Sequence, residues 1–161
     1  AYVGTADNFS PFTGGYVGGF VGNATQTTIE HVTNYLNVSA NEQNVSLGGF
    51  IGSVSGNVTI DQISNSNNIT ITQAQCVGGI IGSMVNNNNS LTNAFFNGNI
   101  VASSTSVLGG IVGQIGSGVN VVKYTYANPT NFNVSATTIG GVIGIFVYAV
   151  IKRPKSGKDE K

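Results

Sequence analysis

Apolar hexads with a Gly-Gly pair at their second and third positions recur along the chain. They read VGGFVG (17–22), LGGFIG (47–52), VGGIIG (77–82), LGGIVG (108–113) and IGGVIG (139–144). The pairs begin at positions 18, 48, 78, 109 and 140, so the period is nearly constant. Five copies in register indicate a structural repeat of about 30 residues rather than a locally glycine-rich composition.

A second apolar pattern follows each of the first three hexads. Two apolar residues three apart precede a third that lies nine residues after the first: Ile29, Val32 and Val38; Ile60, Ile63 and Ile69; Leu91, Ala94 and Ile100. A looser fourth copy has its apolar positions at Val121, Val122, Phe132 and Val134. Asn, Ser, Thr and Gly separate these β-branched runs, which is typical of short strands joined by turns. Residues 1–135 keep no sustained helical period, so we expect few helices.

This repeat predicts an all-β fold, a β-solenoid of about four to five coils within residues 1–138. Coils stacked about 4.8 Å apart bury a continuous core and pair each strand with the coils above and below. A step of 31 along the sequence then defines vertical columns, among them Asn37–Asn68–Asn99, Val38–Ile69–Ile100 and Glu30–Asp61–Thr92–Lys123. We expect the asparagine column to form a hydrogen-bonded ladder and the aliphatic column to lie in the core.

The scarcity of charge excludes several classes of protein. Charged residues make up 7% of the chain, and six basic and six acidic side chains cancel, so no basic surface is available for nucleic acid. The single cysteine, Cys76, excludes an internal disulfide framework and a cysteine-based zinc site. His31 is the only imidazole, and no serine or cysteine is tied to it by spacing. We therefore expect a non-enzymatic protein without a cofactor.

The hexads and the segment LTNAFFNGNI (91–100) together resemble the GLUG motif. Repeats of that family carry a Gly-Gly-Leu-Val-Gly-like core followed by an Ile-x-Asn-Cys-Tyr-x-x-Gly-x-Val-like stretch. Val32, Ile63 and Ala94 stand here at the cysteine position, and the later glycine is present only as Gly98. The resemblance covers about residues 17–144 in five copies, the last incomplete. It implies a non-catalytic, extracellular structural or adhesive region, as found in adhesins and immunoglobulin-cleaving peptidases.

Two carboxylates are the main candidates for site chemistry. Glu30 and Asp61 share a column, so their Cβ atoms are predicted to lie about 5 Å apart on neighbouring coils. Such a pair can hold calcium, shift the pKa of one partner, or serve a retaining glycosidase. The simpler interpretation is that both side chains point into water, with Lys123 further along the column. A β-helical carbohydrate-active enzyme that uses this pair remains the alternative function.

Asparagine sequons indicate passage through a eukaryotic secretory route. Eight Asn-x-Ser/Thr sequences are present, and such sites are glycosylated on exposed loops. The best acceptor candidates fall in predicted loops: Asn23, Asn44, Asn57 and Asn88. The two sequons within the asparagine column would be blocked if that column faced inward.

The fifth hexad opens an apolar segment, residues 139–151, that meets a basic tail at 152–161. One interpretation is a membrane helix over about residues 134–151, held by Lys152, Arg153 and Lys155 as a cytoplasmic stop-transfer cluster. The other is a final core strand with a solvated tail, because the hexad keeps the repeat register. The anchor residues under the first interpretation are Val142, Ile143, Ile145, Phe146, Val147, Tyr148, Val150 and Ile151.

These features predict a rigid spacer or adhesin stalk at the cell surface, anchored by a single membrane pass at its C-terminus, or a secreted form of it. The expected partners are host or matrix glycans or proteins, a membrane, and other domains upstream of Ala1, without nucleic acid. A self-assembling surface fibre is a further alternative, because uncharged strand edges favour edge-to-edge pairing.

Overall fold

The computed structural model describes residues 15–146, and all regular secondary structure within them is β-strand. The strands are β1 (Gly15–Gly18), β2 (Val21–Ala24), β3 (Thr28–Asn34), β4 (Val38–Asn41), β5 (Val45–Gly48), β6 (Ile51–Ser55), β7 (Thr59–Asn65), β8 (Asn68–Gly78), β9 (Ile81–Val85), β10 (Asn89–Phe96), β11 (Asn99–Gly109), β12 (Val112–Ile115), β13 (Asn120–Lys123), β14 (Tyr126–Ala127), β15 (Asn131–Gly140) and β16 (Ile143–Phe146). Their Val, Ile and Thr side chains fit a pleated, half-buried surface. The predicted all-β class is confirmed.

The strands form three sheets, and each coil of the chain contributes to all three. The first sheet contains β1, β4, β5, β8, β11 and β15; the second contains β2, β6, β9, β12 and β16; the third contains β3, β7, β10, β13 and β14. Strand pairing is parallel and joins successive coils in each sheet. The chain is therefore a β-solenoid of about four coils, in agreement with the repeat.

The hexads stack on one another in the predicted register. The first apolar residues of the hexads pair in the first sheet, in the order Val17, Leu47, Val77, Leu108 and Ile139. The fifth residues pair in the second sheet, in the order Val21, Ile51, Ile81, Val112 and Ile143. From Leu47 to Val112 these side chains are fully buried, so the hexads build one continuous core along the stack.

A tight bend at each Gly-Gly pair joins the first sheet to the second. The Ser46 hydroxyl donates to the Gly52 carbonyl at 2.9 Å across one such bend. At Gly78 the backbone approaches the carbonyl oxygen of Ile81 so closely that a Cβ atom would overlap it. The first glycine of the other four hexads stands in the same relation to the carbonyl three residues later. Steric exclusion of side chains thus explains the most constant feature of the repeat.

A left-handed backbone position recurs once per coil in the third sheet. The column His31, Gln62, Asn93 and Tyr124 has φ values of 57°, 54°, 50° and 53°. The strand register passes over these residues, as expected of bulges. A bulge reverses the alternation of side chains, so Ile60 and Ile63 both face the core although three positions separate them. The recurring apolar pair of the sequence is therefore the mark of a bulge.

Buried asparagines close the corner between the third and first sheets. Asn34 Nδ2 donates to Asn65 Oδ1 at 2.7 Å. Asn65 Nδ2 donates to the Gly79 carbonyl at 2.7 Å and to Asn67 Oδ1 at 3.0 Å. Asn67 Nδ2 in turn reaches the Gly49 carbonyl at 2.7 Å. These amides satisfy backbone carbonyls at the corner, where their burial would otherwise cost stability.

The predicted membrane helix is wrong for the part that the structure describes. The chain from Asn131 to Gly140 is strand β15, and Ile143, Ile145 and Phe146 in β16 pair with β12 of the preceding coil. Val142 lies in the bend between them, where its carbonyl accepts from the backbone of the preceding coil. The fifth Gly-Gly pair reproduces the bend of the repeat, and a Val/Ile-rich run favours strand over helix.

Residues 15–146 contain no helix with the length and hydropathy of a membrane span. The remaining anchor candidates, Val147, Tyr148, Val150 and Ile151, lie outside the described residues. The tail residues Lys152, Arg153 and Lys155 lie outside them as well.

Candidate functional site

The carboxylate column lies on the outer surface of the third sheet. Glu30 pairs with Asp61 in the strand register, Asp61 with Thr92, and Thr92 with Lys123. The structure thus brings together the two acidic residues that the column step aligned. Among residues 15–146 no cluster of three His, Cys, Asp or Glu side chains could hold a metal ion. The calcium hypothesis therefore rests on Glu30 and Asp61 as the carboxylates of this column.

Hydrogen bonds from the next coil and from the adjacent Gln62 surround the Asp61 carboxylate. Thr92 Oγ1 donates to Asp61 Oδ1 at 2.5 Å, and Asn93 Nδ2 donates to the same oxygen at 2.8 Å. Gln62 Nε2 donates to Oδ2 at 3.3 Å. The Thr92 bond, followed by the Asn93 bond, lowers the pKa of Asp61 below its ordinary value. Asp61 is therefore ionised at neutral pH, whereas the acid catalyst of a glycosidase needs a raised pKa.

We expect the wild-type chain to lose more thermal stability in acid than Asp61→Asn does. Because the folded pKa is lowered, the ionised carboxylate contributes stability that is complete above the unfolded value of about 3.9 and is lost as the pH falls through the folded value. Melting temperatures between about pH 5 and pH 2 measure this loss. Thr92→Val should also reduce this acid-induced loss of thermal stability. Thr59→Val, two positions before Asp61 in the same strand, should leave the loss unchanged. Equal acid dependence in all four proteins would contradict the assignment.

His31 and Cys76, the two side chains best suited to nucleophilic catalysis, lie on different sheets of the solenoid. His31 is exposed at its bulge on the third sheet. Cys76 is buried, its Sγ donates to Gln114 Oε1 at 3.0 Å, and burial raises the pKa of the thiol to about 11. A thiol with that pKa is protonated at neutral pH and is a poor nucleophile. Cys76 lines an open cleft of about 380 Å³ between the first and second sheets, together with Ser46 and Ser83.

The four preferred sequon asparagines are all exposed. Asn44, Asn57 and Asn88 lie in turns or bends between strands, as predicted, whereas Asn23 lies within β2. Asn88 Nδ2 donates to Asn57 Oδ1 at 3.2 Å, because the two residues occupy one column. A glycan on either residue would therefore crowd the other.

The outer asparagine ladder is present and faces solvent. Asn99 Nδ2 donates to Asn68 Oδ1 at 2.7 Å, and the Asn68 backbone N–H donates to Asn37 Oδ1 at 2.8 Å. Asn37 and Asn68 are exposed, so the column does not bury their sequons.

Sequence reasoning did not find the aromatic and amide groups beside the carboxylate column. Asn93 and Tyr124 belong to the neighbouring bulge column. Phe95 pairs with Tyr126 in the outward-facing column two positions further along the chain. The same column step relates the members of each pair. Columns that begin at residues 31 and 33 align these residues in the sequence. The columns do not reveal that the tyrosine rings are exposed.

Three parallel sheets wound from one repeat define the class of the protein, a β-solenoid repeat protein. The family model described as the GLUG motif matches residues 13–35, which contain the first hexad and the apolar pair at 29 and 32. The chain thus carries a GLUG motif, and the resemblance seen in its repeats is confirmed there. No curated protein and no solved structure matches the chain.

Proposed function

We propose that the solenoid is a non-enzymatic, stiff spacer within an extracellular, adhesin-like repeat protein of the cell surface or a secreted form of it. The observation that carries the proposal is the continuous core. Buried residues of successive coils, such as Leu47, Val77 and Leu108, form unbroken columns along the stack. Each coil packs on the next without a hinge segment between them, which is the property a spacer needs.

The chemistry of the outer surface agrees with a structural role. The carboxylate of Asp61 accepts three hydrogen bonds that favour its ionised form. This argues against the acid role in the carbohydrate-active alternative. The extracellular setting is supported by the exposure of the sequons at Asn23, Asn44, Asn57 and Asn88, since secretory glycosylation requires accessible side chains.

Amide hydrogen exchange on the full chain tests the stiff spacer. We expect β7, β8, β10 and β11 to exchange with one common, high protection free energy, because each has a strand neighbour on both sides. Within residues 15–146, β1 and β3 have one strand neighbour each, and we expect them to exchange sooner. If the inner coils exchange within seconds, or each with its own free energy, the region is a flexible stalk and the proposal is wrong.

A further inference from the structure

The ionisable side chains of the solenoid are concentrated on one surface, the outer face of the third sheet. Residues 15–146 contain five Asp, Glu, Lys, Arg or His residues. Four of them belong to two adjacent columns of this face: Glu30, Asp61, Lys123 and His31. Glu42 is the fifth and lies after β4. The sequon asparagines of residues 15–146 lie outside these columns, so attached glycans would not originate on this face.

Two exposed tyrosines of the following coil, Tyr124 and Tyr126, occupy the same face beside the half-buried Phe95 of β10. Tyr126 is 58% exposed, and its ring stacks on Phe95 with centroids 5.4 Å apart and an interplanar angle of 4°. Tyr124 is 80% exposed and projects from the left-handed bulge at φ 53°. A bulky residue is unfavourable in that conformation, and such strain is concentrated at functional positions. Tyr124 is therefore held outward at a cost in backbone strain, and Tyr126 is held by its stacking on Phe95.

Oriented polar groups lie one coil away from these rings. Asn93 precedes Tyr124 in the bulge column and donates to Asp61 Oδ1 at 2.8 Å. Thr92 donates to the same oxygen and pairs in register with Lys123. These hydrogen bonds fix the carboxylate and the amide relative to each other. The face consequently presents fixed acceptors and donors beside flat apolar rings.

We infer that this face binds a neutral glycan, with Tyr124 and Tyr126 against the C–H faces of the sugar rings and with Asp61 and Asn93 hydrogen-bonded to sugar hydroxyls. Aromatic rings with a few oriented polar groups are the usual composition of a small-molecule site, and tyrosine contacts a ligand at low entropic cost. The pattern of charges on this face favours an uncharged ligand. A carboxylate and the Lys123 ammonium lie two coils apart in one column, so a strongly charged polymer would meet both signs.

This inference goes beyond the spacer role and does not depend on it, since stiffness and ligand binding are measured separately. Calorimetric titration of the full chain with cellohexaose, xylohexaose, chitohexaose and mannohexaose provides the test. We expect at least one of these probes to bind with a Kd below about 1 mM. Tyr126→Ala and Tyr124→Ala should each weaken that binding by about tenfold or more, as expected for central aromatic contacts.

Tyr35→Ala is the matched control, because Tyr35 is 52% exposed but lies in the corner between the third and first sheets. It should change the Kd by less than about twofold. Unchanged melting temperatures confirm that the variants fold. The inference is overturned if none of the four probes binds, or if the probe that binds does so equally well with Tyr124→Ala and Tyr126→Ala. Loss of binding in Tyr35→Ala to the same extent would also overturn it.

Discussion

Gly78→Ala is expected to lower the free energy of unfolding by about 3 kcal/mol or more, at the upper end of overpacking effects. A Cβ at this position would overlap the carbonyl oxygen of Ile81 and press on the backbone of Gly113 in the next coil. All of these atoms belong to backbone, so no side chain can rotate away. Because the bend recurs in each coil, relieving the overlap would displace strands of both the first and second sheets. Chemical denaturation monitored by circular dichroism measures the change.

Gly141→Ala is the matched control for this prediction. Gly141 is the second glycine of the fifth hexad, and a Cβ there would meet no heavy atom within 4 Å. We expect a change between zero and a stabilisation of about 0.5 kcal/mol, since alanine restricts the unfolded chain. Equal destabilisation by Gly78→Ala and Gly141→Ala would show that backbone freedom, rather than close approach, explains the glycines.

The register of the fold could be predicted from the sequence because the same constraint is repeated. Glycine is required where backbone segments approach closely, as at Gly48 and Gly78, so it recurs in the sequence at a fixed period. The C-terminal run could not be assigned in this way. An apolar segment such as residues 139–151 fits the end of a membrane span as well as a core strand, and the pairing of β16 with β12 identifies a strand as far as Phe146.

The candidate site was less accessible to sequence reasoning. The column step aligned Glu30 with Asp61, but the hydrogen bonds from Thr92 and Asn93 depend on side-chain directions that the bulge determines. Simple alternation places residues three apart on opposite faces, so the positions of His31 and Tyr124 cannot be derived without the left-handed backbone. Exposure of Tyr124 likewise depends on this left-handed backbone and cannot be derived from residue type.

Asn65→Asp is expected to lower the free energy of unfolding by about 3 kcal/mol or more at pH 7, because it replaces a buried donor with a buried charge. Asn65 is fully buried, and its amide nitrogen donates to the Gly79 carbonyl and to Asn67 Oδ1. A carboxylate of the same shape would present an oxygen to both of these acceptors. Protonation would restore one donor, so the loss should be smaller near pH 4 than at pH 7. Urea denaturation at the two pH values measures both effects.

Asn68→Asp provides the comparison, since it makes the same change three residues away at an exposed position. Asn68 Oδ1 accepts from Asn99 Nδ2, and an aspartate oxygen can accept the same bond. We expect a change within about 0.5 kcal/mol at both pH values, as is usual for surface positions. A similar penalty for Asn65→Asp and Asn68→Asp would mean that charge on the solenoid, and not the corner amides, limits stability. A loss of stability that is confined to Asn65→Asp and is smaller in acid would show that the Asn34–Asn65–Asn67 network stabilises the corner between the third and first sheets.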